Sequence, residues 1–175
     1  MIKRISEKEL FKTKIFTIKE LELELDTGKK VTRQILDKGD TSLIVPINMH
    51  DELIMVKEYF PAIDEYQLGL PKGRVDPGFD PAETANKELQ EEICYKALKL
   101  EEIGVLTMSP GYITQKTHVF LARDLVESKL PGDEDEELEI VIHPFAKFET
   151  LIAQKKITEA RMIAALYMAR KFLAL

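Results

Sequence analysis

The residues of this sequence best suited to chemistry are three closely spaced glutamates, Glu88, Glu91 and Glu92. Side chains three and four residues apart share one face of a helix, and like charges at those spacings cost the helix about 0.2 to 0.5 kcal/mol per pair. A hard divalent cation removes that repulsion, because Mg²⁺ and Mn²⁺ prefer carboxylate oxygens as ligands. The glutamates therefore suggest a metal site, and the alternative is a solvated acidic face that binds nothing.

The flanking sequence predicts the helix that would position these glutamates, over about residues 81–95. Asp80 supplies an N-cap carboxylate, Pro81 suits the first helical position, and Glu83 completes a capping box. Because this start fixes the register, residues four apart form the buried stripe of the helix, namely Ala85, Leu89 and Ile93. The three glutamates then occupy another face.

Apolar patterns elsewhere predict an α/β fold. Alternating leucines and glutamates in residues 15–25, a turn at DTGKK and a returning strand VTRQILD predict a small antiparallel sheet. The runs SLIVPIN and ELIMVKEYF are apolar enough for central strands covered on both faces, with a bulge or an edge at Pro46. Further strands are predicted in LEEIGVLT and THVFLARDL, and two helices in PFAKFETLIAQ and TEARMIAALYMARKFL.

Length and composition agree with this fold and exclude several kinds of partner. The chain has 175 residues, 45% of them apolar, and we expect an α/β/α layered domain over residues 41–175 preceded by a β extension over residues 1–40. A net charge of −6 argues against binding to nucleic acid or to an anionic membrane. The lack of a long apolar run or a signal peptide predicts a cytoplasmic protein. A single cysteine, Cys94, excludes an internal disulfide framework and a thiolate zinc cluster.

Residues 73–95, GRVDPGFDPAETANKELQEEICY, resemble the Nudix box. The pattern of that box is Gly, five residues, Glu, seven residues, Arg-Glu, an aliphatic residue, any residue, Glu-Glu, any residue, Gly and an aliphatic residue. The positions that agree, with a tyrosine as an apolar substitute at the last, are Gly73, Glu88, Leu89, Glu91, Glu92 and Tyr95. The positions that differ are Phe79 for Glu, Lys87 for Arg and Cys94 for Gly.

The resemblance extends over roughly residues 15–150 and indicates one subgroup of the Nudix family. LIMVKEYFPAIDEYQLGLPKG looks like the segment that precedes the box in ADP-ribose pyrophosphatases, and Pro110, 15 residues beyond Tyr95, lies where a proline marks that subgroup. Within it, the chain looks most similar to the bacterial ADP compounds hydrolases. The resemblance implies a Nudix α/β/α sandwich with a mixed central sheet. It also implies an enzyme that uses Mg²⁺, for which Mn²⁺ can substitute, to hydrolyse ADP-ribose, NADH or diadenosine polyphosphates.

The departures from the box are interpreted as compatible with activity. In the family, the residues at positions 79 and 87 form a bracing ion pair, and an Arg left there alone would be an uncompensated charge costing about 3 to 5 kcal/mol. Because both partners are replaced, Phe79 beside Lys87 looks like a compensated exchange. Cys94 stands where a glycine usually takes the left-handed conformation, at a cost of roughly 1 kcal/mol unless the helix ends differently.

The resemblance implies a ligand set for the metal. Glu88 and Glu92 would bind the ion, with Glu91 as a further ligand and catalytic group. The main-chain carbonyl of Lys72 or of its neighbour would complete the site, and Gly73 would let the backbone approach closely. The metal would neutralise the diphosphate and lower the pKa of an attacking water.

The base that accepts a proton from this water is expected in the acidic loop LPGDEDEELE. The candidates are Glu134 and Glu136, with Asp133 and Glu137 as register alternatives, and Glu136 is also a candidate metal ligand. The alternative is that this segment is only a solvated acidic loop.

Basic residues near the box are candidates for contacts to the substrate phosphates. These are Lys57, Lys72 and Arg74, although lysines on surface strands are more often merely solvated. The family often has an arginine where Phe60 stands, which leaves the phosphate contacts of this chain open.

The substrate's nucleoside and terminal ribose are expected beside the loop of Ser109, Pro110, Gly111 and Tyr112, where the tyrosine can stack or hydrogen-bond. The alternative is an ordinary tight turn packed under an aromatic ring. The subgroup commonly forms homodimers through the N-terminal sheet, and Arg33 is the residue predicted to reach the partner's adenine pocket. The leucine stripe of Leu21, Leu23 and Leu25 gives this dimer a physical basis.

The sequence leaves two classes of function open. The first is a hydrolase that acts on a small nucleoside diphosphate substrate, which can be an ADP compound or a nucleotide sugar. The second is a non-catalytic sensor that binds such metabolites through an altered box. The retention of Glu88, Glu91 and Glu92 favours catalysis.

Overall fold

An antiparallel sheet of three strands forms near the N-terminus: β1 (Lys3–Lys12), β2 (Thr17–Glu24) and β3 (Lys30–Asp37). The turn into β3 contains Gly28, whose φ of 79° is readily adopted only by glycine. The sequence predicted β2 and β3 but not β1, because all residues of KRISEKELFK are exposed and leave little apolar pattern. In the computed structural model, which describes residues 1–132 and 138–174, this sheet belongs to a unit comprising Met1–Asp40 and Thr107–Lys116.

The two faces of β2 differ less in solvent exposure than its alternating sequence predicts. Every residue of β2 is half-buried, glutamates as well as leucines. Leu21 lies opposite Arg33 on β3 and opposite Glu7 on β1. Directly opposed residues share one face of a sheet, so long charged side chains flank this leucine.

A mixed sheet forms the centre of the second unit, which comprises Thr41–Leu106 and Thr117–Leu175. Its strands lie in the order β7 (Lys72–Arg74), β4 (Thr41–Pro46), β9 (Lys116–Glu127) and β8 (Tyr95–Thr107). β4 runs parallel to β9 and antiparallel to β7. Pro46, the last residue of β4, lies opposite Ala122 on β9, whereas the pairing of β4 with β7 ends at Leu43. The proline therefore has a strand partner on one side only, which agrees with the predicted edge position and not with a bulge.

A second, antiparallel sheet of the same unit has the order β10 (Glu139–Pro144), β5 (Glu52–Phe60) and β6 (Glu65–Gly69). Residues of β5 alternate between two apolar cores, since Leu53 and Met55 belong to one and Ile54 and Val56 to the other. The sequence did not predict β10.

Helices cover both faces of the central sheet. α1 (Pro81–Glu92) packs Ala85 and Leu89 into the core that contains Ile44, Ile54 and Phe120, and Ile93, the residue that caps its C-terminal end, joins them there. α2 (Phe148–Ala153) and α3 (Ala160–Phe172) contribute to the other core, which contains Leu43 and Val45. Successive residues of β4 therefore point to opposite helical layers, and the predicted α/β/α sandwich is confirmed. Across the part of the chain that the structure describes, no helix has both the length and the apolarity to cross a membrane.

Candidate active site

α1 begins where the sequence predicted and positions the glutamates as expected. The Asp80 carboxylate accepts a hydrogen bond from the Ala82 amide at 2.7 Å, and Pro81 occupies the first turn. The Ser42 hydroxyl donates to the Pro81 carbonyl at 2.7 Å, which ties this end of the helix to β4. The helix ends at Glu92, earlier than the predicted residue 95.

The chain leaves α1 through a left-handed residue, Cys94, whose φ is 61°. The amide of Ile93 still donates to the Leu89 carbonyl at 3.2 Å, and the Cys94 carbonyl then accepts from the Ser128 amide at 3.0 Å. The conformation typical of glycine at this place is therefore retained although a side chain is present. The expected penalty of roughly 1 kcal/mol for a side chain in this conformation therefore applies to Cys94.

Replacing Cys94 with Gly is expected to stabilise the protein by up to about 1 kcal/mol. A left-handed residue with a Cβ atom costs roughly 1 to 2 kcal/mol, and the greater freedom of glycine in the unfolded chain returns part of the gain. Urea unfolding would measure the change. Cys94→Ala is the matched control, because it removes the thiol but keeps the Cβ atom, and a glycine variant no more stable than this alanine variant would show that the left-handed backbone carries no such cost.

The most perturbed carboxylate of the described residues is Glu92, which is only 8% exposed. Its Oε2 atom accepts a hydrogen bond from the Lys72 amide at 3.2 Å. Burial, together with the nearby carboxylates of Glu88 and Glu58, raises the pKa of Glu92 to about 8, although the Lys72 ammonium opposes this shift. A buried carboxylate with other carboxylates near it is suited to bind a cation, because the cation would offset the cost of its ionised form.

Glu88 lies directly over the backbone of Gly73. A Cβ atom added to Gly73 would come within 1.8 Å of Glu88 Oε1. The glycine has no positive φ, so its role is to leave room for the carboxylate rather than to make a special turn.

Gly73→Ala is expected to displace Glu88 and to lower metal affinity by about 10-fold or more, a loss typical of disturbed metal sites. Isothermal titration with Mn²⁺ would measure this loss. Glu88→Ala and the double variant Gly73→Ala/Glu88→Ala provide the control, because both changes remove the same carboxylate from its place. A double variant much weaker than either single variant would show that Gly73 acts through another group.

Glu91 and Phe79 correct the interpretation of the altered box. The Glu91 carboxylate, with a side chain 8% exposed, pairs with the Lys87 ammonium at 2.8 Å one helical turn away. Phe79 is 64% exposed, so its ring does not replace the family's ion pair by burial. Lys87 instead has an ion-pair partner within its own helix.

The residues present fit a hard divalent cation, although their side chains are not arranged around one. Among residues 1–132 and 138–174, no three His, Cys, Asp or Glu side chains are gathered as a metal site. The available donors are nevertheless carboxylate and carbonyl oxygens, the type that Mg²⁺ prefers. The raised pKa of the buried Glu92 and the close approach of Glu88 to Gly73 are the observations that support this fit.

A further carboxylate at this site, Glu58, was not predicted from the sequence. The Lys72 ammonium donates a hydrogen bond to the Glu58 carboxylate and lies 5.5 Å from the centre of the Phe60 ring. The sequence did contain a signal for it. Glu58 and Phe60 are two residues apart on a predicted strand, and residues at that spacing share one face, so a contact of one with the site implies the other.

The other basic residues predicted to contact phosphate, Lys57 and Arg74, each form an ion pair with a carboxylate. Lys57 is opposite Leu68, a residue of the core on the α2 and α3 side, so it projects from the face of β5 opposite Glu58. Its ammonium donates to Glu139 at 2.9 Å, and this bond raises the pKa of Lys57. A contact between Lys57 and a substrate phosphate stays a prediction. Arg74 is exposed and pairs with Asp76 at 2.9 Å.

The remaining predicted residues lie in the first unit or outside the described residues. Arg33 is exposed, and its guanidinium donates to the Thr32 carbonyl at 2.9 Å. The loop of Ser109, Pro110, Gly111 and Tyr112 closes through a bond from the Tyr112 amide to the Ser109 carbonyl, and the tyrosine ring is 56% exposed. Their assignment to the substrate site stays a prediction. The base candidates fall outside the described residues, namely Asp133, Glu134, Glu136 and Glu137.

Comparison with known proteins identifies the family. The model of the NUDIX domain matches residues 37–166. The chain belongs to the Nudix family. The ADP compounds hydrolase NudE of Escherichia coli (strain K12) is 35% identical to this Nudix protein over 164 residues, which cover 93% of this chain and 88% of that protein. The ADP-ribose pyrophosphatase of Bacillus subtilis (strain 168) is 29% identical over 166 residues, covering 94% and 90% of the two chains.

A solved structure agrees with this assignment. The crystal structure of an ADP compounds hydrolase superposes with a TM-score of 0.90 and 32% sequence identity, covering 99% of this chain and 94% of that chain. The fold predicted from the sequence and the enzyme class, a Nudix pyrophosphohydrolase, are confirmed.

Proposed function

We propose that this Nudix enzyme hydrolyses the pyrophosphate bond of ADP compounds, and that ADP-ribose is converted to AMP and ribose 5-phosphate. Water adds its oxygen to one phosphorus atom while the bond from that phosphorus to the bridging oxygen breaks. The observation that carries the proposal is the buried Glu92 beside Glu88, within a chain 35% identical to a named ADP compounds hydrolase.

The residues that would hold the metal are Glu88, Glu92 and the carbonyl of Lys72, joined by Glu91 when its carboxylate turns from Lys87. Mg²⁺, or Mn²⁺ in its place, supplies charge that neutralises the diphosphate and acidifies the attacking water. The Lys72 ammonium is placed to donate a hydrogen bond to a phosphate oxygen.

Other roles follow from the family resemblance. Glu134 or Glu136 accepts the proton of the attacking water, and Glu136 can also bind the metal. Arg74 contacts a phosphate after leaving Asp76. The nucleoside and terminal ribose lie against the loop of Ser109–Tyr112.

The N-terminal β extension is proposed to form a homodimer. Large apolar side chains are exposed on and around β1, namely Ile2, Ile5, Leu10, Phe11 and Ile15. Burial of these side chains against a second copy would remove apolar area from water. In that dimer Arg33 reaches the adenine pocket of the partner. The cytoplasm is the proposed location of the enzyme. Analytical ultracentrifugation of the parent and of Phe11→Lys tests this assembly, and a monomeric parent at micromolar concentration would contradict it.

The deciding experiment measures AMP released from ADP-ribose with Mg²⁺, with Mn²⁺ and with EDTA. NADH, diadenosine triphosphate, ADP-mannose and GDP-mannose are run beside it. We expect metal-dependent release of AMP from ADP-ribose. Turnover of the nucleotide sugars alone would replace the proposed substrate class, whereas saturable binding of ADP-ribose without turnover would indicate a sensor.

A further inference from the structure

Glu58 lies on the face of β5 that packs against α1. It is not part of the Nudix box, which spans residues 73–95. Ile54 and Val56, on the same face of the strand, are buried in the core that also contains α1 residues such as Leu89. Glu58 and Phe60 continue this face beyond the apolar core. The strand thus delivers a carboxylate and an aromatic ring to the side of the sheet that carries the glutamates of α1.

The carboxylate of Glu58 is engaged with the ammonium of Lys72. Both side chains are largely buried, with 28% of Glu58 and 18% of Lys72 exposed. The Glu58 carboxylate lies beside Gly69, where an added Cβ atom would be in ordinary van der Waals contact, 3.4 Å from Glu58 Oε2. The ring of Phe60, 5.5 Å from the ammonium, lines another side. Lys72 is therefore held by its neighbours rather than left as a mobile surface lysine.

The position of this ammonium matters because the Glu92 carboxylate lies within its electrostatic reach. Lys72 acts on the charge of Glu92 and its backbone amide donates to the same carboxylate, while Glu88 and Glu58 also lie within electrostatic reach of Glu92. Opposite charges at short range in a partly buried site attract strongly. Without Glu58, the ammonium would be drawn toward Glu92 or Glu88, where it would compete with a divalent cation.

We propose that Glu58 is a positioning residue. It holds the Lys72 ammonium apart from Glu88 and Glu92, so that these carboxylates remain available to the metal and the ammonium remains available to the diphosphate. The role in substrate binding rests on the proposed function. The effect on the metal site does not depend on which substrate is used.

The test is a double-mutant cycle of Glu58→Gln and Lys72→Met, read out as the affinity for Mn²⁺ alone. Electron paramagnetic resonance of free Mn²⁺ gives this affinity without substrate. Glu58→Gln is expected to weaken Mn²⁺ binding about 10-fold, within the range for groups that orient metal ligands. In the Lys72→Met background the same change should have little effect, because no ammonium is left to intrude. Equal weakening in both backgrounds, or none in either, would overturn the proposal.

Kinetics provide a second, separable readout. With the turned-over substrate, Glu58→Gln should raise KM more than it lowers kcat, since the phosphate contact becomes misplaced. Glu139→Gln is the matched control. It also removes a carboxylate that is paired with a lysine, but this pair, with Lys57, is exposed and lies on the other face of β5. If no ADP compound is hydrolysed but the Mn²⁺ cycle behaves as expected, the substrate assignment fails and the positioning role stands. If ADP compounds are hydrolysed but the Mn²⁺ cycle shows no coupling between Glu58 and Lys72, the substrate assignment stands and the positioning role fails.

Discussion

Replacing Glu92 with Gln is expected to abolish metal-dependent hydrolysis while making the metal-free protein more stable. The carboxylate is buried and its pKa is raised to about 8, so its ionised form opposes folding at alkaline pH. The neutral amide keeps the size of the side chain and can still accept the Lys72 hydrogen bond. Activity should fall roughly 100-fold or more, because a metal ligand is lost, while the free energy of unfolding at pH 8.5 should rise, by on the order of a few kcal/mol at most.

Two measurements separate these effects. AMP release at saturating Mg²⁺ follows the activity, and urea unfolding in EDTA follows the stability. Glu83→Gln is the matched control, since this glutamate lies on the same helix but is exposed. A Glu92→Gln protein that hydrolyses ADP compounds as fast as the parent would refute the metal-binding role. One that is inactive and also unstable would show that the carboxylate is needed for folding.

The metal-free protein is expected to lose stability as pH rises from about 4.5 to about 8. The pKa of Glu92 is about 8 in the folded protein, against an ordinary value of 4.5 for the unfolded chain. The folded state therefore binds more protons than the unfolded state within this interval, and the free energy of unfolding decreases with pH. The contribution is fully present below pH 4.5 and is lost above pH 8.

Urea unfolding in EDTA at several pH values between about 5 and 9 would reveal this slope as the difference between the parent and Glu92→Gln, whose profile should be flatter. Metal binding should show the reverse dependence. A divalent cation competes with the proton on Glu92, so Mn²⁺ affinity should strengthen as pH rises toward about 8 and a proton should be released on binding. Parallel stability profiles for the two proteins would contradict the assigned protonation of Glu92.

The altered positions of the box illustrate different ways in which a family pattern can change. Cys94 keeps the left-handed backbone of the usual glycine and bears its cost. Lys87 takes Glu91 as its ion-pair partner, and Phe79 remains exposed. None of these changes replaces Glu88 or Glu92, the two glutamates proposed to bind the metal. The box therefore differs from the family in its bracing contacts, while its carboxylates near Gly73 and Lys72 are retained.

The sequence by itself determined the local elements and the chemistry of α1. Asp80 and Pro81 identify the first turn through hydrogen bonding at the N-cap and the fixed φ of proline, which are local effects. The stripe of Ala85, Leu89 and Ile93 has the helical period, and all three residues are fully buried. The central strands were predictable because apolar runs covered on both faces are distinctive. The Nudix resemblance added the sandwich fold and the enzyme class.

The strands that escaped prediction lack such local signals. β1 is exposed along its whole length, and much of β10 is exposed as well, so neither shows a continuous apolar run. Their strand conformation depends on hydrogen bonds to β2 and β5, which are separate segments of the chain. Such pairing is a property of the folded chain rather than of the segment.

Only the tertiary structure decided which charged groups meet at the site. Neighbouring residues Lys57 and Glu58 look equally polar in the sequence, yet the pleat of β5 sends one to Glu139 and the other to Lys72. The pairing of Glu58 with Lys72 and the burial of Glu92 arise from strands and a helix brought together by the two apolar cores. Electrostatic interactions depend on distance and on exclusion of water, and neither quantity can be read from the spacing of residues along the chain.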